Sequence, residues 1–156
     1  MKAKAETNLS FSLSALFISL LLLSASCEKE DPAPSPEEMF SNIAITGAQE
    51  APNPVTTNAS GTFNGTFNKN TKILTYTISY SGITPTAMHF HKGAPGTAPA
   101  SNVVLPITTA PSPISSSTPA LTAEQEADLV AGNWYVNIHS QANPGGEIRG
   151  QLIRSN

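Results

Sequence analysis

The three histidines of this 156-residue chain all lie in two short strand-like runs. The first run is Thr86-Ala-Met-His89-Phe-His91-Lys-Gly93, and the second is Asn133-Trp-Tyr-Val-Asn-Ile-His139. Neutral imidazole is a ligand for zinc, copper and nickel. Side chains alternate between the two faces of a strand, so His89 and His91 share one face while Met88 and Phe90 take the other. In the second run Trp134, Val136 and Ile138 form one face, and Tyr135, Asn137 and His139 form the other. A His-x-His pair offers two nitrogens on one face, and a third imidazole from a neighbouring strand would complete a three-nitrogen set with an open position. Two readings fit this pattern. One is a mononuclear metal site; the other is a polar, solvated outer face whose histidines bond to Thr, Asn or water.

The second run leads into Pro144-Gly-Gly-Glu147-Ile-Arg149-Gly-Gln-Leu152. Glu147 and Arg149 share a face, opposite Ile148. They read either as a structural ion pair or as a shell behind the histidines. In the shell reading, Glu147 orients an imidazole through its free N–H, or Arg149 attracts an anion. Gly145-Gly146 reads as a tight turn rather than a phosphate loop, because no helix follows it. Gly-x-Ser-x-Gly does not occur, and no carboxylate pair sits in a convincing site, so a hydrolase reading has little support.

The elements that would position these residues are mostly strands. Ile43, Ile45 and Gly47 alternate with polar neighbours as a first strand. Gly61–Phe67 and Lys72–Ser81 read as a hairpin, with a turn at Asn68-Lys-Asn70 where Asn tolerates left-handed geometry. Asn102–Thr108 reads as an edge strand, since Pro106 cannot donate to a ladder. Thr109–Pro119 is rich in Ser, Thr and Pro and reads as a loop. Thr122–Gly132 is the one expected helix, with a Thr122/Gln125 capping box and Gly132 as its stop. Its acidic groups Glu124, Glu126 and Asp128 suit the helix dipole rather than catalysis. About seven short strands with turn signals predict an all-β fold, a Greek-key β-sandwich or flattened barrel with one short helix.

His89-Phe-His-Lys-Gly93, Tyr135-Val-Asn-Ile-His139 and Gly145-Gly-Glu-Ile-Arg-Gly-Gln-Leu152 together resemble the signature of the CHRD domain. That domain is named after chordin and also occurs in bacterial secreted proteins. Ile45-Thr-Gly-Ala-Gln-Glu-Ala-Pro52 is similar to its opening strand, and the likeness spans about residues 40–154. A more distant similarity is to copper/zinc superoxide dismutase, which also has a His-x-His strand and a later strand ending in His. The resemblance implies a superoxide-dismutase-like or immunoglobulin-like sandwich, and it carries over only to His89, His91 and His139. There is no fourth His to bridge two metals, no His/Asp-rich zinc loop and no disulfide. The implied cofactor is therefore one copper or zinc ion rather than a binuclear centre.

The ends bound the cellular context. Lys2 and Lys4 precede an apolar stretch, Phe11–Leu23, that is short for a membrane span. Leu23-Ser-Ala-Ser-Cys27 then resembles a lipobox, and the only Cys has no intrachain disulfide partner, so diacylation of Cys27 is its simplest use. Glu28-Lys-Glu-Asp31 resembles a surface-export signal of some Gram-negative lipoproteins. Asp31-Pro-Ala-Pro-Ser-Pro-Glu-Glu38 reads as an extended tether. The expected organisation is a lipoprotein signal peptide over 1–26, an acylated Cys and Pro-rich tether over 27–38, and a β domain over 39–156. A net charge of −3, with 8 basic and 11 acidic residues, gives no basic patch for nucleic acid.

The expectation from these readings is an outer-membrane, surface-exposed lipoprotein, attached to the membrane through Cys27. Its domain would act as a non-enzymatic binding module, with a bound copper or zinc ion in the metal reading. The alternative is a copper-dependent oxidoreductase resembling superoxide dismutase. Nothing in the chain singles out a protein or a glycan partner.

Overall fold

Tyr76 and Phe90 meet edge to face with ring centroids 5.1 Å apart, although their strands are far apart in the sheet. That contact defines the architecture. A computed structural model describes residues 35–98 and 103–155. Its elements are β1 (Glu37–Thr46), a 3-10 turn (Gly47–Gln49), β2 (Ser60–Asn68), β3 (Ile73–Ser81), β4 (Ala87–Lys92), β5 (Val103–Pro106), β6 (Ile114–Ser117), α1 (Ala123–Val130), β7 (Trp134–His139) and β8 (Ile148–Gln151). The strands form one eight-stranded sheet in the order β5-β4-β7-β8-β1-β2-β3-β6, and each pairing is antiparallel. Four strands separate β4 from β3, so the ring contact requires the sheet to curl on itself. The result is a half-barrel, the flattened-barrel form of the expected all-β fold.

The inner face is apolar because period-two alternation delivers it there. Phe63 and Phe67 of β2, Leu74, Tyr76 and Ile78 of β3, Met88 and Phe90 of β4, and Trp134, Val136 and Ile138 of β7 are all buried in one core. Phe90 also packs on Trp134 at 5.7 Å. Antiparallel hairpins joined by short turns suit such one-sided burial. The β2–β3 hairpin and the edge position of β5 both agree with the sequence reading.

The structure differs from that reading at three places. β1 starts at Glu37, two residues inside the expected tether and six before Ile43. A bulge between Phe40 and Ile43, with Asn42 at φ 54, shifts the parity and hides the early part of the strand. Glu38 is thereby fixed in the domain, where it pairs with Lys69 at 2.5 Å and Arg154 at 3.1 Å. Second, the Ser-rich stretch read as a loop contains β6, which pairs with β3. Four residues with Ser at three positions carry no apolar alternation to detect. Third, the left-handed residue of the β2–β3 turn is Lys72 (φ 62), while Asn68 acts through its side chain, accepting from the N–H groups of Asn70 and Thr71.

Helix α1 forms as its capping residues dictate. Thr122 and Gln125 make the reciprocal capping box, and Gly132 turns the chain out at φ 77. Its acidic face is docked by lysines: Lys92 reaches Asp128 at 2.7 Å and Lys72 reaches Glu126 at 2.8 Å. None of the described helices is long and apolar enough to cross a membrane. The expected signal peptide, Cys27 and most of the tether lie outside the described residues.

Candidate metal centre

β4, β7 and β8 lie side by side, and their registers place the polar side chains in rows. His89 is opposite Asn137, which is opposite Arg149. In the next row His91, Tyr135 and Gln151 are aligned, and at the other end His139 faces Ala87. Period two puts all these polar side chains on the face away from the core. The three histidines are brought together there as the parity argument requires, with one ligand nitrogen from each all within 4.8 Å of one another. Ring centroids are 5.1 Å apart for His89 and His139, 5.4 Å for His89 and His91, and 6.0 Å for His91 and His139.

Of the two readings, a fully solvated outer face is not what forms, although His89 is only half-buried. His91 is 7% exposed and His139 9%, and β7 is buried along both faces. Loops cover the sheet at this end. Thr57, from the long connection after β1, donates to Glu147 at 2.6 Å. The segment after β4 supplies carbonyl acceptors to Arg149 and Gln151. Strand periodicity shows which side chains share a face, but it says nothing about what lies over that face.

One hydrogen bond sets the tautomer of the centre. His139 Nδ1 is 3.0 Å from the carbonyl oxygen of Pro144. A carbonyl only accepts, so Nδ1 carries the proton and donates it. Nε2 is then the basic nitrogen, and it lies 3.2 Å from His89 Nδ1. Burial, followed by the repulsion of His89, holds the His139 imidazole below its ordinary value of 6.5, against the opposing Pro144 hydrogen bond. The nitrogen that would meet a metal is thus kept in its neutral, ligating form.

Glu147 and Arg149 take other roles than those expected. Glu147 accepts from Ser140 Oγ and Thr57 Oγ1, and those bonds hold its carboxyl below the usual range. It fastens the covering loop, while the group that orients His139 is the Pro144 carbonyl. Arg149 is 1% exposed and donates to the carbonyls of Thr97 (2.9 Å) and Ala94 (3.2 Å) and to Gln151 Oε1 (2.9 Å). Buried, and with three of its five N–H groups engaged in this way, it does not face an external anion. Its guanidinium lies 3.6 Å above the Tyr135 ring centroid, and that ring stacks on His91 at 5.2 Å with an 11° tilt. Arg149, Tyr135 and His91 therefore form a continuous stack that fixes the plane of one imidazole.

A profile of the CHRD domain matches residues 42–152. The chain belongs to the CHRD domain family. The matched span runs from the β1 bulge to the residue after β8, so all three histidines and all of the sheet but the start of β1 lie within the CHRD domain. No curated protein and no solved structure matches the chain. Sequence reasoning noted Glu50 only as part of the opening CHRD motif. The fold adds it to the polar layer, where its carboxyl approaches Asn137 and Arg149. Gln-Glu-x-Pro directly after a strand was the available signal, but it gives no direction for the side chain.

Proposed function

We propose that this CHRD domain is a non-enzymatic binding module that holds one copper or zinc ion between His89, His91 and His139. The observation that carries the reading is the convergence of three ring nitrogens within 4.8 Å. Three neutral nitrogens favour these late transition metals, with copper bound more tightly than zinc at a given site. Three protein ligands leave a position for an exchangeable group. The Pro144 carbonyl supplies the outer hydrogen bond that imidazole ligands ordinarily have. A copper or zinc ion held there would take the place of the His89 Nδ1–His139 Nε2 hydrogen bond, with the single proton of neutral His89 moved from Nδ1 to Nε2.

The proposal extends to place. Cys27, preceded by an apolar stretch and small residues, is read as a diacylated anchor. The acidic run Glu28–Asp31 is read as the export signal, and residues 27–36 as the tether. The module would then stand on the bacterial outer membrane, facing out. Titration calorimetry of the tag-free full chain with copper and zinc tests the metal reading. Binding tighter than about 10 μM, near −7 kcal/mol, is the expected result. Weaker binding would leave a metal-free polar layer.

A further inference from the structure

The side chain of Glu50 is buried in the layer that covers the sheet, with the residue only 7% exposed. It follows the 3-10 turn, in the 47–57 connection between β1 and β2. This loop is closed by Val55 N–H donating to the Gly47 carbonyl at 2.9 Å and by Thr57 donating to Glu147 at 2.6 Å. Gln49 Oε1 accepts from the β8 amide of Gln151. Glu50 lies between these ties, against Asn137 of β7 and the turn at Gly146.

The chemistry at that contact needs a proton. The Asn137 amide hydrogen-bonds the Glu50 carboxyl, yet Glu50 Oε1 and Asn137 Oδ1 are both buried without a donor. Both crowd the α-carbon of Gly146: a Cβ there would stand 2.7 Å from Asn137 Oδ1 and 2.9 Å from Glu50 Oε1. Two buried acceptor oxygens beside the same glycine lack a donor. A protonated carboxyl instead donates its O–H to the amide oxygen and satisfies both.

We propose that Glu50 is a proton-operated latch: as a neutral acid it closes the 47–57 loop over the polar layer, and loss of its proton releases the loop. Burial pushes the carboxyl up to about 7, against the opposing effects of Arg149 and Asn137. The other charged and titratable groups around the contact hold one state near neutral pH. Arg149 on β8 stays cationic, and the Tyr135 hydroxyl on β7 is raised by burial and stays neutral. Glu147, before β8, is lowered and stays ionised; His139, at the end of β7, is lowered and neutral. The segment 93–98 brings no titratable side chain.

The sign follows from where the proton is bound more tightly. In the open loop the carboxyl is solvated and titrates near 4.3, whereas in the closed loop it holds its proton up to about 7. Closure is fully favoured below the lower value and is lost as pH rises through the upper one. Between them the opening constant grows about tenfold per pH unit. Release would uncover Asn137, which lies between the histidines and Arg149 in the polar layer. This inference does not depend on a bound metal.

Two measurements on the metal-free full chain test it. Carbon-detected NMR of the Glu50 carboxyl should give a midpoint near 7; a midpoint below about 5 would overturn the proposal. Amide protection factors at Glu50 and Val55 should fall roughly 40-fold from pH 5 to pH 7. Glu50→Gln, a neutral mimic, should keep them flat. Flat protection in the wild type, or the same fall in the variant, would equally overturn it. If Glu50→Gln does not fold, the two wild-type measurements decide.

Discussion

His139 Nε2 faces His89 Nδ1 across 3.2 Å, while the opposite nitrogen of His139 is fixed to the Pro144 carbonyl. The pair is a preformed clamp with a single proton between two ring nitrogens. Closing it on a metal requires a tautomer change at His89 and no rotation of His139.

Metal binding should therefore depend on both partners of the clamp. His89→Ala and His139→Ala are each expected to abolish binding tighter than about 10 μM in calorimetry. Affinity should fall in acid, as pH drops below 6.5 toward the lowered value of His139, because protons compete for its free nitrogen. Burial lowers His139, so the fold binds fewer protons there than the unfolded chain does. The stability linked to His139 is present above 6.5 and is lost as pH falls toward its lowered value. Urea midpoints of the wild type and of His139→Phe, compared between pH 5 and pH 8, check this.

Arg149 should be required for the fold even though it is a charged residue. Removing it leaves the Thr97 carbonyl and the Gln151 oxygen without a donor, while the Ala94 carbonyl keeps the Thr97 amide and hydroxyl. Arg149→Met is expected to cost about 3 kcal/mol or more in urea unfolding. Arg149→Lys should recover only part of that, since an ammonium cannot reproduce the flat fork over Tyr135.

Gly146 is at φ 132, and a Cβ there would come within 2.5 Å of Asn137 Nδ2. Gly146→Ala is expected to lose about 1–3 kcal/mol from backbone strain, plus whatever the displaced amide costs. Thermal unfolding measures the total, and Gly145→Ala is the control, since a Cβ at that position meets nothing within 4 Å.

Anchoring and folding should separate cleanly. Cys27→Ser is expected to move the protein from the membrane fraction to the soluble one, since stable attachment needs more than one acyl chain. Deleting residues 1–36 should leave the thermal midpoint nearly unchanged. Extending the deletion through Glu38 should lower it, because Glu38 joins Lys69 and Arg154 to the first strand.

Much of this was legible in the sequence, for a physical reason. Strand parity is strict, so His89, His91 and His139 could be assigned to the non-core side before any contact was known. The Thr122/Gln125 box and Gly132 likewise fix the ends of α1 through local chemistry. The covering loops were not legible. Residues 47–57 and 93–98 have no period, and their hydrogen bonds depend on partners distant in sequence, such as Glu147 and Arg149. The β1 bulge hid Phe40 by breaking the parity that revealed Ile43. Glu50 was missed because a loop residue carries no rule for where its side chain points.

The burial of β7 on both faces has a consequence for how the site comes into being. Trp134, Val136 and Ile138 face the apolar core, while Tyr135, Asn137 and His139 face the polar layer, and all six are buried. A slip of one residue would drive an imidazole into the apolar core and an indole into the polar layer. Two interiors thus proofread a single strand. A chain that has reached its native core has necessarily assembled its histidines, so the cell has no folded form of this domain with an unformed site to sort from the rest.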